Sequence, residues 1–361
     1  MKTAIVSVTA AGAKLGQQIA NAYDEVHIYE KEERSSGAEV HAYFTSLKSM
    51  MPQLMAEYDR LLFIMATGIV VRLIAPFIVH KSTDPAVVVM DEQGQFAISL
   101  LSGHLGGANE WTQEVARLVD AIPVITTATD VNGLPAPDVL ARKLQCEVED
   151  FAVLKAVNAA IVAKEPVRYY LDDTLYFSNQ YKKVANRMGI EVAKFNPFTA
   201  CGQSLCHDDF KGMRVIITDM VMRGCERTLF LRPKTITLGI GCRRDTPKEA
   251  IVAAIEEALR EVKRSPKSVR SIGSVTVKQD EAGLLAAARE FDRPIHFHSP
   301  EAIREVIETQ GLEESKFVKE TIGVGNVCET TALLEANSQT LLLKKTRFPN
   351  ITIAIAQVQS R

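Results

Sequence analysis

The stretch from Ile98 to Glu110 constrains the fold more than any other segment of the chain. An apolar run is interrupted at Ser102-Gly103, and an amphipathic pattern with the spacing of a helix then continues to Leu118. This pattern predicts a strand that leads through a glycine-rich turn into a helix. Because a helix N-terminus presents unpaired N–H groups and the positive end of its dipole, we expect an anionic ligand at this turn.

The length and composition of the chain limit the classes of protein to which it can belong. At 361 residues, the chain exceeds what one hydrophobic core usually supports, and its 47% apolar and 24% charged residues are typical of a globular protein. A net charge of −2 argues against a nucleic-acid or anionic-membrane surface. No apolar run approaches the ~20 residues of a membrane span, and residues 1–8 resemble a strand rather than a signal peptide. We therefore expect a cytoplasmic protein of two or three domains.

The six cysteines are scattered along the chain. The closest pair, Cys201 and Cys206, has four residues between its members, which fits neither a zinc pair nor a redox CxxC motif. Free thiols are therefore favoured over disulfides. The same segment, residues 196–209, also contains His207 and Asp208, and a surface loop is favoured over a metal site there because no second group of ligands has suitable spacing.

Strands and helices alternate through the first third of the chain, and the strands are apolar on both faces. This predicts an α/β fold with a parallel, Rossmann-like sheet covered by helices. The predicted strands span residues 3–8, 26–29, 60–65, 86–90, 96–101 and 123–127.

Ligands of open parallel sheets bind beyond the carboxyl ends of the strands. We therefore expect the loops at residues 9–13, 66–68, 102–107 and 126–133 to line one crevice. The first of these loops has neither the GxGxxG nor the GKS/T pattern, so a tight turn is favoured there over a phosphate-binding loop.

Segments rich in proline and glycine divide the chain into three predicted domains. They are an N-terminal α/β domain with the glycine-rich turn (residues 1–135), a smaller middle α/β domain (136–232) and a C-terminal α/β domain (233–361). In the middle domain we expect a helix over residues 139–161 and a short strand at 175–177.

A second strand, glycine turn and helix are predicted near the start of the C-terminal domain. Thr246 is expected at the N-cap, Pro247 at the first helical position and Glu249 in a capping box. Arg243 and Arg244 precede this helix. Two interpretations stay open for them, an anion-binding rim and solvated arginines on a tight turn.

Five motifs together resemble a known family. Residues 66–72, 84–92 and 101–110 resemble the N-terminal domain of the cobalt-precorrin 5A hydrolases of anaerobic cobalamin biosynthesis, and residues 238–244 and 323–329 resemble their C-terminal domain. The resemblance covers the whole chain in the family's order. The C-terminal part also resembles a stand-alone protein of aerobic cobalamin pathways, so the N-terminal motifs carry the hydrolase assignment.

The resemblance implies a specific reaction. Enzymes of this family open the δ-lactone of cobalt-precorrin 5A and release the C20 unit as acetaldehyde, which gives cobalt-precorrin 5B. The substrate is an anionic tetrapyrrole that carries its own cobalt, so neither a cofactor nor a protein-held metal is implied. The expected partners are the substrate, neighbouring methyltransferases of the pathway and a second copy of the chain, with no nucleic acid and no membrane.

Lactone hydrolysis needs an activated water, stabilisation of an oxyanion and a proton for the leaving alkoxide. His104 is the expected general base, with the N–H groups of Gly106 and Gly107 as oxyanion donors, while Glu110 either orients His104 or acts as base itself. A capping or packing role for His104 and a solvated position for Glu110 stay open. A nucleophilic Ser102 is less favoured because its surroundings do not form a GxSxG elbow.

Substrate binding is expected from residues of the glycine turns and from nearby cations. For Arg72, two interpretations are equally favoured. It contacts a substrate carboxylate, or it pairs at the edge of the apolar helix in which it lies. The expected substrate-binding residues are Thr67, Gly68, Arg72, Lys81, Ser102, Gly103, Gly106, Gly107, Asn109, Arg243, Arg244, Gly325 and Glu329.

Two other functions compete with a hydrolase. One is a non-catalytic carrier that binds a tetrapyrrole and passes it between enzymes of the pathway. The other is a nucleotide-binding oxidoreductase or kinase, which the missing dinucleotide fingerprint and P-loop argue against.

Overall fold

The computed structural model describes residues 1–32, 41–199, 205 and 209–360, without the side chains of residues 317, 321 and 322. The chain forms two compact units, Met1–Arg142 and Lys143–Arg361. The described residues form three α/β sheets with mostly parallel strands, which confirms the predicted fold class. The predicted loop with Cys201, Cys206, His207 and Asp208 lies outside the described residues.

The first unit alternates strands and helices from its start. Its described strands are β1 (Thr3–Ser7), β2 (Val26–Lys31), β3 (Ala42–Phe44), β4 (Arg60–Ile64), β5 (Ala86–Met90), β6 (Phe96–Leu101) and β7 (Ile122–Val124). Its described helices are α1 (Ala10–Ala20), α2 (Leu47–Glu57), α3 (Thr67–Ile74), α4 (Ala108–Val119), α5 (Ala128–Val131) and α6 (Pro137–Leu144), the last of which crosses the boundary between the units.

The second unit contains two sheets in succession. Its described strands are β8 (Cys146–Val148), β9 (Val167–Asp172), β10 (Val192–Phe195), β11 (Met213–Ile217), β12 (Thr228–Pro233), β13 (Ile236–Cys242), β14 (Val269–Val275), β15 (Ile295–His298), β16 (Leu341–Phe348) and β17 (Ile351–Gln357). Its described helices are α7 (Phe151–Val162), α8 (Ser178–Arg187), α9 (Lys248–Glu261), α10 (Ala282–Glu290), α11 (Pro300–Gln310), α12 (Lys316–Ile322) and α13 (Cys328–Ala336).

The sheet of the first unit has the strand order β3-β2-β1-β4-β5-β6-β7, and its direction changes once. Strands β1 to β5 are mutually parallel, β6 is antiparallel to β5, and β7 is parallel to β6. The connection between β5 and β6 is a short turn in which the Asp91 carboxylate accepts hydrogen bonds from the N–H groups of Gln93 and Phe96. A parallel crossover needs a dozen or more residues, so this turn imposes a hairpin.

The hairpin overturns the expectation of a single crevice. The carboxyl ends of β6 and β7 lie at the edge opposite the carboxyl ends of β1 and β4. The loops at residues 102–107 and 126–133 therefore share one edge of the sheet, and the loops at residues 9–13 and 66–68 share the other.

Helix α3 packs through one face, whereas its apolar sequence predicted burial on both sides. Val70 and Ile74 are buried against the sheet, but Ile69 and Val71 are 46% and 45% exposed. The opposite face of α3 is therefore an apolar surface open to solvent within the first unit.

Two predictions for the middle of the chain are wrong in detail. The expected helix over residues 139–161 is interrupted by β8, because Gln145 adopts a left-handed conformation (φ 55°) that ends α6. The expected strand at residues 175–177 is part of a turn. Asp172 stabilises the start of that turn by accepting hydrogen bonds from the N–H and hydroxyl of Thr174.

The sheet order is β10-β9-β11-β12-β8 in the first half of the second unit and β15-β14-β13-β17-β16 in the second half. Helix α9 begins at Lys248, with Pro247 at the N-cap and no capping hydrogen bond from a side chain, so the predicted capping box is wrong. Thr246 is buried instead, and its hydroxyl donates to the carbonyl of Arg243 at 2.7 Å.

Helix α13 lies unusually close to the sheet beneath it. A Cβ placed on Gly239 of β13 would lie 1.8 Å from the carbonyl oxygen of Cys328, and one on Gly273 of β14 would lie 2.8 Å from that of Thr331. The Thr331 hydroxyl donates to the Gly273 carbonyl at 3.1 Å. Glycine is thus required where the helix backbone meets the strands.

Glu335, near the end of α13, ties the helix to the strands β14 and β15. Its carboxylate accepts from the Ser271 hydroxyl and lies 2.8 Å from His296 Nδ1 and 2.7 Å from His298 Nε2. Burial raises the pKa of Glu335, but the hydrogen bonds from His298, Ser271 and His296 lower it by more, to about 2. The carboxylate is therefore ionised at neutral pH and anchors the helix end.

We expect the substitution Gly239→Ala to loosen α13, because its methyl group would overlap the Cys328 carbonyl. Overpacking of this kind costs about 1–3 kcal/mol. Hydrogen exchange followed by mass spectrometry should show faster exchange in peptides from residues 328–336. Gly311→Ala is the control, since Gly311 has a left-handed backbone but nothing within 4 Å of a Cβ placed on it. Equal exchange in α13 of both variants would contradict the close-packing argument.

Candidate active site

His104 lies in a compact turn between β6 and α4. Ser102 enters this turn with φ 56°, and its hydroxyl donates to the carbonyl of Asp84 at 3.0 Å. The turn also closes on itself, since the N–H of Ala108 donates to the Ser102 carbonyl at 3.2 Å and that of Asn109 to the Gly103 carbonyl at 3.0 Å. The backbone that carries His104 is thus fixed by its own hydrogen bonds.

The glycines of this turn contact the protein's own chain. A Cβ on Gly103 would lie 2.7 Å from Asn109 Oδ1, and one on Gly106 would lie 2.5 Å from Ser102 Cβ. Gly107 has φ 83°, and its N–H donates to the His104 carbonyl at 3.1 Å. The Gly107 N–H, which we expected as an oxyanion donor, thus already has an acceptor within the turn.

The imidazole of His104 lies between two carboxylates. Its Nδ1 is 3.0 Å from Asp138 Oδ2, and its Nε2 is 2.6 Å from Asp130 Oδ2. The Thr129 hydroxyl lies 3.0 Å from the same Nε2. The side chain of Asp138 is 5% exposed and that of Asp130 is 31% exposed, so the Asp130 side of the ring is the more open to solvent.

The two carboxylates determine the protonation of His104. Burial of the ring lowers the pKa of His104, but the hydrogen bonds and charges of Asp138 and Asp130 raise it by more, so the net pKa lies above its usual range. With an acceptor at each nitrogen, the ring is stabilised as an imidazolium. An imidazolium donates protons and cannot accept them, so the expected role of His104 as general base does not fit this arrangement.

Asn109 positions the more exposed of the two carboxylates. Its buried amide donates to Asp130 Oδ2 and to the Thr127 hydroxyl, both at 3.0 Å, and its Oδ1 accepts from the Ser99 hydroxyl at 2.6 Å. Asn109 is thus fully engaged inside the protein. The structure makes it a support for Asp130 rather than a residue that faces a ligand.

Glu110 does not hold His104. Its carboxylate pairs with Arg142 and is 46% exposed. The orienting role that we expected for Glu110 belongs to Asp130 and Asp138, because these two carboxylates occupy both ring nitrogens of His104.

The other predicted residues of the first unit are divided between the two edges of its sheet. Thr67 and Gly68 begin α3 at the carboxyl end of β4, on the edge opposite His104. Arg72 is exposed and donates to the Gly68 carbonyl at 2.9 Å, which matches the alternative of pairing at the helix edge. Lys81 lies on an exposed turn before β5, at the edge that carries His104.

In the second unit, the predicted residues of the 323–329 turn have structural partners. The N–H of Gly325 donates to Glu314 Oε2 at 3.1 Å. The buried Glu329 carboxylate pairs with the Asn326 amide and accepts from the Lys345 N–H at 3.0 Å. These contacts close the turn and use both carboxylate oxygens of Glu329.

The two arginines of the second glycine turn are solvated. Arg244 and its partner Asp280, 3.2 Å away, are each 63% exposed. The Arg243 side chain is exposed as well, while its N–H donates to the Asn350 carbonyl at 2.9 Å. This geometry is that of the alternative interpretation, a tight turn with solvated arginines.

The described part of the chain bears on three further kinds of feature: metal ligands, cysteines and membrane-spanning helices. No group of three or more histidine, cysteine, aspartate or glutamate side chains there is arranged to hold a metal ion. The described cysteines, at positions 146, 225, 242 and 328, are thiols rather than disulfides. Among the described helices, none combines the length and apolar character needed to cross a membrane.

Comparison with known families assigns a biological role to this three-sheet α/β architecture. Residues 49–130 match the model of the cobalamin synthesis G N-terminal domain, residues 135–233 that of the cobalamin biosynthesis central region, and residues 236–356 that of the cobalamin synthesis G C-terminus. The protein is therefore a component of cobalamin biosynthesis.

The most informative relatives are enzymes of cobalamin biosynthesis with one shared name. The chain is 31% identical to the cobalt-precorrin-5A hydrolase of Priestia megaterium over 98% of the chain and 94% of the relative. It is 36% identical to the enzyme of that name from Salmonella typhimurium over 84% of the chain and 83% of the relative. The chain belongs to this family and is a hydrolase of cobalamin biosynthesis.

A shorter relative matches part of the chain. The protein CobE of a Sinorhizobium species is 32% identical over 108 residues, which are 30% of this chain and 70% of the relative.

We expect His104 to remain protonated above the usual histidine range. Because its folded pKa is raised, its stabilising contribution is complete below the unfolded pKa of about 6.5 and is lost as pH rises through the folded value. The difference in free energy of unfolding between wild type and His104→Gln should therefore shrink above neutral pH. Urea denaturation followed by fluorescence of Trp111, the single tryptophan, measures it within the first unit. A difference that grows with pH would contradict the imidazolium assignment.

Proposed function

We propose that the protein is a cobalt-precorrin 5A hydrolase that adds water across the substrate's δ-lactone and releases the C20 unit as acetaldehyde. The names of the full-length relatives support this substrate. The structural observation that carries the proposal is the imidazolium of His104 between Asp138 and Asp130, beside a turn at the edge of the sheet. The cobalt belongs to the substrate, so the proposal requires no metal held by the protein.

The geometry supports a different role for each of His104, Asp138 and Asp130. Asp138 holds the Nδ1–H and fixes the ring, while the Nε2–H faces the more exposed side and supplies the proton for the lactone's leaving oxygen. Asp130 shares that side with the Nε2–H and accepts the proton of the attacking water. The water's hydroxyl becomes part of a new carboxylic acid, which then ionises, and the proton lost by His104 to the leaving oxygen is matched by the one gained by Asp130. Acetaldehyde leaves in a second step, in which the freed alcohol gives up its O–H proton and the bond between its carbinol carbon and the macrocycle breaks. The macrocycle keeps that electron pair and takes up a proton.

The acetate and propionate arms of the substrate need cationic partners. Lys81 lies at the edge of the sheet that carries His104 and is therefore the first candidate in that unit. The other arms are proposed to pair with three exposed cations, which are Arg72, Arg243 and Arg244.

A carrier that binds the tetrapyrrole without hydrolysing it is the second candidate. The observation that favours it is that both ring nitrogens of His104 already have partners, as they would in a purely structural clamp.

Anaerobic incubation of the purified protein with cobalt-precorrin 5A tests the hydrolase directly. Acetaldehyde is trapped and the pigment is followed by mass spectrometry. Release of equal amounts of acetaldehyde and converted pigment establishes the reaction. Pigment that binds but stays intact, under conditions in which a known hydrolase converts it, rejects the proposal in favour of a carrier.

We expect His104→Gln to lower kcat by about 10²-fold or more, the usual contribution of a positioned acid or base. Asp130→Asn should lower kcat comparably, whereas Glu110→Gln should have a smaller effect because its partner is Arg142. Steady-state acetaldehyde release measures all three.

Arg117→Gln is the matched control, since Arg117 is exposed in the last turn of α4. A larger loss for Glu110→Gln than for His104→Gln would assign the chemistry to Glu110 and contradict the acid role of His104.

A further inference from the structure

A pocket with a volume of about 350 Å³ lies in the second unit. Its lining includes the apolar side chains of Phe198, Met220, Val221 and Met222 and the cationic side chains of Arg223 and Lys263. A pocket of this size and composition can hold one portion of an organic ligand. None of these six residues belongs to the candidate active site.

The strand order explains why the pocket forms here. Strand β9 lies between β10 and β11, and all three are parallel. The chain passes from β9 to β10 on one side and then returns to β11 on the other. The connection after β9 runs to one side and the connection after β11 runs to the other, toward β12, so these two loops separate at the carboxyl edge, which is where open parallel sheets bind ligands. Phe198 follows β10 and residues 220–223 follow β11, so both parts of the lining lie at that edge.

The wall formed by residues 219–222 is held in place. Asp219 Oδ1 accepts from Arg264 Nη1 and its Oδ2 accepts from the Thr235 hydroxyl, both at 2.6 Å. The N–H of Val221 donates to the Lys263 carbonyl at 2.8 Å, and Lys263 itself has φ 54°. A non-glycine residue in the left-handed region costs free energy that the surrounding contacts must offset. The pocket is thus built by fixed contacts.

The lining combines exposed apolar surface with positive charge. Phe198 is 62% and Val221 57% exposed, although both side chains are strongly apolar. Arg223 and Lys263 are exposed, and within the described ranges neither side chain has an ion-pair or hydrogen-bond partner. This combination complements a ligand that has an apolar body and peripheral carboxylates.

We infer that this pocket binds one edge of the carboxylate-bearing tetrapyrrole. The macrocycle edge packs on Phe198, Val221 and Met222, while peripheral carboxylates pair with Arg223 and Lys263. The identity of the ligand rests on the proposed function, whereas its chemical class follows from the lining. The second unit thereby contributes to substrate binding through its first sheet.

Binding of uroporphyrin, a porphyrin with eight carboxylates, tests the inference without requiring catalysis. Titration of the full-length protein, followed by porphyrin fluorescence, gives Kd for wild type and for the double variant Arg223→Glu/Lys263→Glu. We expect the double reversal to weaken binding by about tenfold or more, because two attractive charge pairs become repulsive. A porphyrin with cationic arms should bind the wild type more weakly than uroporphyrin does.

The matched control is Lys155→Glu/Arg187→Glu, which reverses two exposed cations on α7 and α8, outside the pocket lining. This variant should bind uroporphyrin within about twofold of wild type, which separates the pocket from a general charge effect. Phe198→Ser should also weaken binding, since it removes the apolar contact. Thermal unfolding of every variant checks that the fold is retained. Equal loss in both double variants, or no loss in the pocket variants, overturns the inference.

The acetaldehyde assay separates this inference from the proposed function. If the wild type hydrolyses the substrate, the Arg223→Glu/Lys263→Glu variant should show a higher KM with kcat close to wild type. An unchanged KM would overturn the pocket while the hydrolase stands. If the wild type does not hydrolyse the substrate but uroporphyrin binding depends on the pocket, the hydrolase fails and the pocket stands.

Discussion

The contact of one imidazole with two carboxylates is the interaction on which the candidate site depends. Asp130 and Asp138 are 26 and 34 residues from His104, and together they draw the segment after β7 onto the turn after β6. The net charge of the three groups is −1 when His104 is protonated. Removing either carboxylate would leave an imidazolium that is less well compensated. Asn109 and Thr129 complete this network, so charge, hydrogen bonding and backbone position reinforce one another.

The reversal at β5 and β6 determines which loops meet. A uniformly parallel sheet would have brought the α3 N-terminus and the His104 turn to one edge, with Arg72 near the chemistry. The short hairpin at Asp91 places them at opposite edges instead. The N-terminus of β5, with Asp84, then lies beside the turn, which explains why the Ser102 hydroxyl bonds to the Asp84 carbonyl.

The sequence revealed the elements of this fold better than their directions. Apolar runs and glycine turns identified most strands, and the 98–110 stretch correctly placed His104 between a strand and a helix. Strand direction depended instead on the short length of the 91–95 turn, which apolar periodicity does not express. Asp130 and Asp138 were missed as site residues because contacts over 26 to 34 residues leave no local pattern. Asp130 nevertheless lies in the 126–133 loop that was expected to line the crevice, and Asp138 lies close to the predicted domain boundary at residue 135. The glycines were recognised, but their close partners within the chain were not, since only packing shows what a Cβ would meet.

The glycines beneath α13 also limit how the second unit can move. With no side chain between the helix backbone and β13 or β14, sliding of the helix along the sheet would force backbone atoms into overlap. Glu335 adds hydrogen bonds to His296 and His298 at the C-terminal end of the helix. Any rearrangement of this region must therefore carry α13 and its sheet together as one body, and the bending must occur in the connecting loops.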